Sequence, residues 1–276
     1  MKGRVTKLAI SNIAWLAAEE PLIADHMQAQ QIAGVEVAPT MIWSNPVNVS
    51  ADELHRYRQF WAQRGIQIVA LQSLLYGRPD LTIFDNKAQR RETLKYLGDL
   101  MPLAAMLGAR SLVFGSPKNR QVKNLPAATV EEIALEFFHA AAEIALLHDV
   151  ILCIEPNPIQ YECDFATNSA AALTLVNKVN HRGFGLHLDS AALHLSEENV
   201  ADVLANCAGS VCHFHASEPY LAPLGQGGVE HKMIGRLLKG VGYPNWVSVE
   251  MRRNPAVDAV VEIQRVATFL RACYGD

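Results

Sequence analysis

Short runs of apolar and β-branched residues recur along the chain, and longer amphipathic stretches separate them. From the first run to the last, seven steps span about 240 residues, or about 34 residues a step, which is the length of one strand, one crossover helix and their loops. The pattern therefore predicts eight repeats of a strand–helix unit. The predicted strands are residues 8–10, 35–37, 66–71, 111–114, 150–154, 184–188, 211–215 and 247–250.

Between these runs, the spacing of apolar residues changes from a period of two to a period of about 3.6. Residues 90–107 place Leu94, Leu97 and Leu100 toward one side, which predicts a helix. Residues 129–147 carry Glu131 and Glu132 in their first turn, where acidic side chains favour a helix. A glycine directly after a helix supplies a left-handed cap, and most predicted strands follow a glycine or an aspartate. These joints are Gly34, Gly65, Gly108, Asp149, Gly183, Gly209 and Gly242.

The alternation of strands and helices indicates a parallel sheet with right-handed crossovers. Eight units in 276 residues fit a closed (β/α)₈ TIM barrel better than an open doubly wound sheet. No Gly-x-Gly-x-x-Gly motif follows the first strand, which removes the main reason to expect a dinucleotide-binding fold. We therefore predict an α/β fold, with one barrel domain over residues 1–276.

The amino-terminal segment has some features of a secretory leader, because Lys2, Arg4 and Lys7 precede a short apolar run. Ser11 and Asn12 interrupt that run, and the barrel needs the same segment as its first strand. We therefore interpret the segment as a strand.

Composition and charge argue against two classes of partner. Half of the residues are hydrophobic and 19% are charged, so the chain can bury a large core. The net charge is −4 with no basic block, which argues against nucleic acid, since phosphate neutralisation supplies most of that affinity. No apolar run is long enough to span a membrane. The five cysteines show no Cys-x-x-Cys spacing, so we expect reduced thiols in a cytoplasmic protein.

Polar residues stand at the carboxyl ends of the predicted strands, where closed barrels carry their reaction sites. Because side chains alternate along a strand, His187 shares a face with Asp189, and His213 shares one with His215. The last four strands end in residues that can bind a metal ion. In chain order the strand-end residues are Asn12, Glu36, Gln72, Ser116, Glu155, Asp189, His215 and Glu250.

Glu155, Asp189, His215 and Glu250, here called the strand-end cluster, are predicted to bind one divalent metal ion. Three carboxylates brought together repel one another and stay partly protonated unless a cation joins them. Mostly oxygen ligands with one nitrogen suit Mn²⁺, with Mg²⁺ or Co²⁺ as alternatives. The competing interpretation is an ordinary layer of polar side chains, which four consecutive strand ends in register disfavour.

Four segments carry a family resemblance: residues 153–157 (CIEPN), 185–189 (GLHLD), 213–218 (HFHASE) and 249–250 (VE). They resemble the xylose-isomerase-like TIM barrels. That family includes sugar and sugar-phosphate isomerases, epimerases such as D-tagatose 3-epimerase, inosose dehydratases, hydroxypyruvate isomerase and class-two AP endonucleases. The resemblance covers nearly the whole chain.

The resemblance implies that the strand-end cluster holds the metal, and that Glu155 and Glu250 also form the catalytic acid–base pair. The expected substrate is a sugar or a sugar phosphate. One glutamate would remove a proton next to a carbonyl group that the cation polarises, and the other would return it through an enediolate. Two positions depart from the epimerase pattern: Ala192 replaces a usual histidine, and Leu221 replaces a usual arginine.

Further residues near the strand ends are candidates for substrate contact. Lys118 and Arg120 follow the fourth strand, where paired cations can hold a phosphate or an acidic group, although a solvated loop is equally consistent. Tyr161 lies in a segment that resembles a family lid. His187, Arg252 or Arg253 can replace the groups missing at positions 192 and 221. The predicted substrate contacts are His187, His213, Asn157, Lys118, Arg120, Arg252, Trp15 and Glu36.

Three alternatives stay open at this point. A dehydratase of a keto-polyol shares the first proton abstraction and differs by expelling a β-hydroxyl group. A sugar-binding barrel without turnover would explain the departures at positions 192 and 221. A phosphodiesterase acting on abasic DNA would need histidines where the chain has Glu36 and Gln72. The apolar outer helices also permit a homo-oligomer.

Overall fold

The computed structural model describes residues 6–275, and its strands form one closed parallel barrel. Each strand pairs with its neighbours in chain order, and the first pairs with the eighth, as in Lys7 beside Trp246. The predicted α/β barrel is therefore confirmed. The strands are β1 Lys7–Ser11, β2 Gly34–Val37, β3 Gln67–Leu71, β4 Ser111–Phe114, β5 Ile151–Ile154, β6 Phe184–Asp189, β7 Val211–Ser217 and β8 Trp246–Glu250.

Helices connect the strands, as the periodicity predicts. Both helical stretches identified in the sequence are present, each starting two or three residues before the predicted segment. The helices are α1 Glu20–Ala29, α2 Ala51–Ala62, α3 Lys87–Leu107, α4 Ala127–Leu147, α5 Ser169–Val179, α6 Ser190–Leu195, α7 Val200–Cys207, α8 His231–Gly240 and α9 Ala259–Tyr274.

Two of the glycine joints show two different reasons for a glycine. Gly108 ends α3 in the left-handed conformation, with φ of 89°, and its N–H donates to the carbonyl groups of Ala104 and Ala105. Gly183 differs from the prediction, because a Cβ at this position would collide with the carbonyl oxygen of Ala142 in α4. Gly183 therefore lets the residue before β6 pack closely on α4, and it does not cap a helix.

The main apolar core lies between the barrel and its helices. Phe138 of α4 packs at 5.8 Å from Phe114 of β4 and at 4.9 Å from Phe184 of β6, between ring centroids. Burial of each such side chain stabilises the fold by roughly 1.5–3 kcal/mol. This packing fixes β4 and β6 and, with them, the residues that follow at the carboxyl end of the barrel.

The structure also bears on three simpler expectations. Within residues 6–275, no helix is both long and apolar enough to cross a membrane. All five cysteines lie in this range and are free thiols. Lys7–Ser11 form β1, whereas Lys2 and Arg4 lie outside the described residues.

Candidate metal centre

The strand-end cluster comes together at the carboxyl end of the barrel. One ligand atom from each of its four members lies within 4.8 Å of the others. Nδ1 of His215 lies 3.3 Å from Oε2 of Glu250, 3.7 Å from Oε1 of Glu155 and 3.9 Å from Oδ2 of Asp189. The barrel therefore brings the four predicted metal ligands together in space.

Local structure holds two of the three carboxylates of the cluster, Asp189 and Glu155, in different ways. Asp189 ends β6 and caps α6, because its Oδ1 accepts a hydrogen bond of 2.7 Å from the N–H of Ala192. Its Oδ2 accepts one from the hydroxyl of Ser217 on β7. Glu155 follows β5, and its Oε2 accepts a hydrogen bond of 3.1 Å from Nδ2 of Asn157. These contacts orient the carboxylates before any ligand binds.

His215 is held from below by Glu36 of β2. Nε2 of His215 lies 3.0 Å from both carboxylate oxygens of Glu36, and Nε2 of His213 lies 3.2 Å from Oε2. His187 lies under Glu155, with its Nε2 3.4 Å from Oε1. A layer of buried imidazoles and one carboxylate therefore supports the strand-end cluster.

The pKa values of the cluster follow from burial and from crowding of like charges. Burial raises the pKa of Asp189 to about 7, and the charges of Glu155 and Glu250 add to the effect. Burial also raises the pKa of Glu250. Burial acts in the same direction on Glu155, but His187 and His215 lower its pKa overall. The three carboxylates therefore resist carrying charge together without a cation.

The pKa values of two imidazoles at the cluster are also shifted in opposite directions. Burial lowers the pKa of His187 to about 3, so this ring is neutral. Burial opposes a charge on His215 too, but Glu36 and Glu250 raise its pKa well above the usual range. Burial also works against ionisation of Glu36, yet His215 and His213 hold its pKa well below the usual value. Glu36 is thus a carboxylate anion inside the barrel.

A cavity of about 400 Å³ opens above the cluster, and all four cluster members line it. Asn157 and Arg252 also line it, as expected for two of the predicted substrate contacts. Ala192 and Leu221, the two departures from the epimerase pattern, face the same cavity. Arg252 supplies the only Lys or Arg side chain on the cavity wall in the described part of the chain.

The remaining predicted contacts lie away from the cavity wall. Glu36, His187 and His213 are buried in the layer beneath the cluster, and Trp15 is buried against Trp61 at a ring distance of 6.3 Å. None of these four side chains lines the cavity, which differs from the expectation that they touch the substrate. Alternation along a strand identifies the face of a side chain but not its depth in the barrel, so it does not distinguish the supporting layer from the wall.

The expected cation pair after β4 is not a clamp at the cavity. Lys118 is 75% exposed and forms an ion pair of 2.9 Å with Glu162. Arg120 is fully buried, and its NH2 group donates a hydrogen bond of 2.6 Å to the carbonyl oxygen of Glu155. Arg120 therefore supports the backbone at Glu155 from behind, and Lys118 pairs with a neighbouring loop.

Glu218, which was not among the predicted sites, and Tyr161, which was expected in a lid-like segment, both line the cavity. Glu218, three residues beyond the predicted end of strand seven, is buried and accepts hydrogen bonds from the N–H groups of Gly225 and Val229, so it fixes the loop after β7. Tyr161 accepts a hydrogen bond of 3.0 Å from the N–H of Tyr220. Burial raises the pKa of Tyr161 to about 12, so its hydroxyl stays protonated. Glu218 ends the HFHASE segment that carries the family resemblance, so the sequence offered a signal for it. Nothing in the sequence indicated that Tyr161 contacts Tyr220.

The donor set fits a divalent cation. Nδ1 of His215 is buried, makes no hydrogen bond and faces three carboxylates, as expected for a nitrogen that coordinates a metal. Three oxygen donors and one nitrogen suit a divalent metal ion. Fold and site together define an α/β barrel with a candidate metal-binding site at the carboxyl ends of its strands.

The chain belongs to the xylose isomerase-like TIM barrel family, whose model matches residues 28–273. A curated relative, the L-ribulose 3-epimerase of Mesorhizobium japonicum, is 26% identical over 192 residues. That alignment covers 69% of this chain and 64% of the relative, so the chain matches less than two thirds of the relative's length.

Solved structures share the fold over nearly the whole chain. The D-psicose 3-epimerase of Clostridium cellulolyticum H10, with D-tagatose, has a TM-score of 0.82 at 15% identity and covers 98% of this chain and 100% of its own. The 3-keto-D-glucoside 4-epimerase YcjR of E. coli has a TM-score of 0.79 at 14% identity, with coverage of 97% and 100%. The IOLI protein with a bound zinc atom has a TM-score of 0.75 at 19% identity, with 98% of both chains covered.

Proposed function

We propose that this protein is a divalent-metal-dependent enzyme that isomerises or epimerises a sugar by proton transfer next to a carbonyl group. The observation that carries the proposal is the convergence of the strand-end cluster within 4.8 Å at the base of a cavity. The expected ion is Mn²⁺, with Mg²⁺ or Co²⁺ as alternatives. The similarity to epimerases supports this class of reaction.

A divalent ion bound here supplies stabilisation of the negative charge that develops on oxygen when carbon loses a proton. Asp189 and His215 are the less exposed members of the cluster, at 7% and 1% of their side-chain surface. Both are also held from behind, by Ser217 and Glu36 respectively. We assign these two residues to holding the ion.

Glu155 and Glu250 are assigned the proton transfer. Their side chains are 14% and 17% exposed, so they reach the cavity further than the other two ligands. Their environments also move their pKa values in opposite directions, down for Glu155 and up for Glu250. Such a difference suits a pair in which one carboxylate accepts a proton and the other supplies one.

The sugar is assigned to the wall above the cluster. Asn157, Tyr161 and Arg252 offer an amide, a phenol and a guanidinium group to its oxygens. Ala192 and Leu221 make the rest of this wall more apolar. Because Lys118 is paired with Glu162 outside the cavity, we favour a sugar without a phosphate group.

The test is solvent deuterium incorporation into a panel of L-ribulose, D-fructose, D-tagatose and D-psicose, with Mn²⁺ and after removal of the metal. We expect metal-dependent exchange at carbon, with an isomer or epimer as the product by NMR. Exchange of none of the sugars by metal-loaded protein would favour a sugar-binding barrel instead. Loss of water to give a product that absorbs in the ultraviolet would favour a dehydratase.

A further inference from the structure

Glu36 at the end of β2 is a fully buried carboxylate in the interior of the barrel. It lies off the cavity wall, so a substrate in that cavity does not touch it. Its oxygens lie 3.0 Å from Nε2 of His215 and 3.2 Å from Nε2 of His213. Within residues 6–275, these two imidazoles are its only hydrogen-bond and ion-pair partners.

This contact determines which nitrogen of His215 carries a hydrogen. Carboxylate oxygens accept hydrogen bonds, and those of Glu36 face both Nε2 atoms at 3.0 to 3.2 Å, so each Nε2 is the N–H donor of its contact. In a neutral imidazole, the other nitrogen then has a free lone pair. For His215 that nitrogen is Nδ1, the atom that faces Glu155, Asp189 and Glu250.

We infer that Glu36 is a positioning residue for the metal site, which holds the ring of His215 in its Nε2-protonated form and directs Nδ1 to the ion. The inference rests on the proposed metal site and adds the means by which its imidazole ligand is oriented. Partners that bond the far nitrogen of a metal-binding histidine typically contribute about 10- to 100-fold in metal affinity.

His213 keeps the carboxylate of Glu36 in one orientation. It donates to Oε2 only, whereas His215 lies at 3.0 Å from both oxygens, so the two rings approach the carboxylate from different directions. Both histidines come from β7 and are separated by one residue. A single carboxylate therefore serves two imidazole donors on one strand.

Glutamine at position 36 keeps the size of this side chain but not its chemistry. Its amide has one acceptor oxygen, and its NH₂ group is a donor. Glu36→Gln therefore replaces one of the two oxygens that lie 3.0 Å from Nε2 of His215 with a donor and removes the negative charge, so Nε2 is held as the protonated nitrogen less firmly. At His215, a hydrogen on Nδ1 would block coordination.

The direct test is the protonation pattern of His215 in wild-type protein loaded with Zn²⁺, which is diamagnetic. Long-range ¹⁵N–¹H correlation NMR, assigned with the His213→Gln variant, distinguishes the two ring nitrogens. We expect a protonated Nε2 and a metal-bound Nδ1. A protonated Nδ1, or coordination through Nε2, would overturn the inference without the need for a Glu36 variant.

The second test compares Mn²⁺ affinity in two matched variants by isothermal titration calorimetry. Glu36→Gln is expected to weaken binding by about 10- to 100-fold. Glu218→Gln is the control, because Glu218 is equally buried and accepts from a histidine, Nε2 of His231 at 3.1 Å, outside the cluster. Its Mn²⁺ affinity should stay within about threefold of wild type. Thermal unfolding confirms that both variants are folded.

The outcomes separate the inference from the proposed function. If wild-type protein binds no Mn²⁺ or Zn²⁺, the proposed metal site fails, and the inference fails with it. If wild type binds Mn²⁺ and folded Glu36→Gln binds it equally well, only the inference is wrong. Equal losses in Glu36→Gln and Glu218→Gln would show a general effect of buried charge, which also contradicts it.

Discussion

The carboxylate of Glu155 occupies the space that a side chain on Gly115 would fill. A Cβ at Gly115 would collide with Oε2 of Glu155 and would lie 3.6 Å from Nδ2 of Asn157. The hydrogen bond from Asn157 to Glu155 thus exists because β4 is followed by a residue without a side chain. The position of a proposed catalytic carboxylate depends on a glycine 40 residues earlier in the sequence.

Gly115→Ala is therefore expected to displace Glu155 while the barrel stays folded. Because a shift of about 1 Å in a reacting group can cost 10²-fold, we expect kcat/KM to fall by about that factor. Gly209→Ala is the matched control, since a Cβ there meets no atom within 4 Å. Steady-state kinetics of both variants provide the measurement. Wild-type kcat/KM in Gly115→Ala would contradict the role given to this contact.

Glu155→Gln and Glu250→Gln remove the acid–base groups but keep an amide oxygen that can still ligate a metal. Each change should lower kcat by about 10²- to 10⁴-fold, the usual contribution of a general acid or base. Metal content, measured by mass spectrometry, should stay near one ion per chain. Near-normal turnover in both variants would end the proposed mechanism. Glu143→Gln on the exposed side of α4 provides a control for surface charge.

Metal affinity should rise with pH. The ligands bind the ion in their deprotonated forms, and the raised pKa values of Asp189, about 7, and of Glu250 and His215 keep protons on them at lower pH. Between pH 8 and pH 6 the Mn²⁺ dissociation constant should therefore increase by about tenfold or more. Calorimetry in buffers of different ionisation enthalpy should show proton release. Affinity independent of pH, without proton release, is the opposing result.

Arg252 is expected to bind substrate, whereas Lys118 is not. Arg252→Ala removes the one guanidinium group on the described cavity wall, so KM should rise about tenfold with a smaller change in kcat, because this group binds rather than reacts. Lys118→Ala removes an exposed partner of Glu162, and its kinetics should match wild type. The reverse pattern, with KM raised only in Lys118→Ala, would show that the loop after β4 contacts the substrate and that Arg252 does not.

The fold and the strand-end cluster could be predicted because both depend on local periodicity. Apolar runs mark the strands, and the closed barrel then brings the residues that end β5 to β8 to one rim. Alternation also puts His187 with Asp189 and His213 with His215, since the register shift between β6 and β7 falls before His187.

The depth and pairing of side chains could not be predicted in the same way. Glu36 is a strand-end residue like Glu155, but its partners lie 177 and 179 residues away on β7. Arg120 follows Lys118 by two residues, yet one is buried behind Glu155 and the other is paired with Glu162. Such differences depend on tertiary contacts across the barrel and between loops, which a local pattern does not encode.

Anomalous diffraction at the manganese edge, from crystals soaked in MnCl₂, locates any ion bound by the strand-end cluster. We expect one strong peak within bonding distance of a carboxylate oxygen from each of Glu155, Asp189 and Glu250 and of Nδ1 of His215. Maps without a peak among these atoms, or with manganese bound only by other residues, would contradict the proposed metal site.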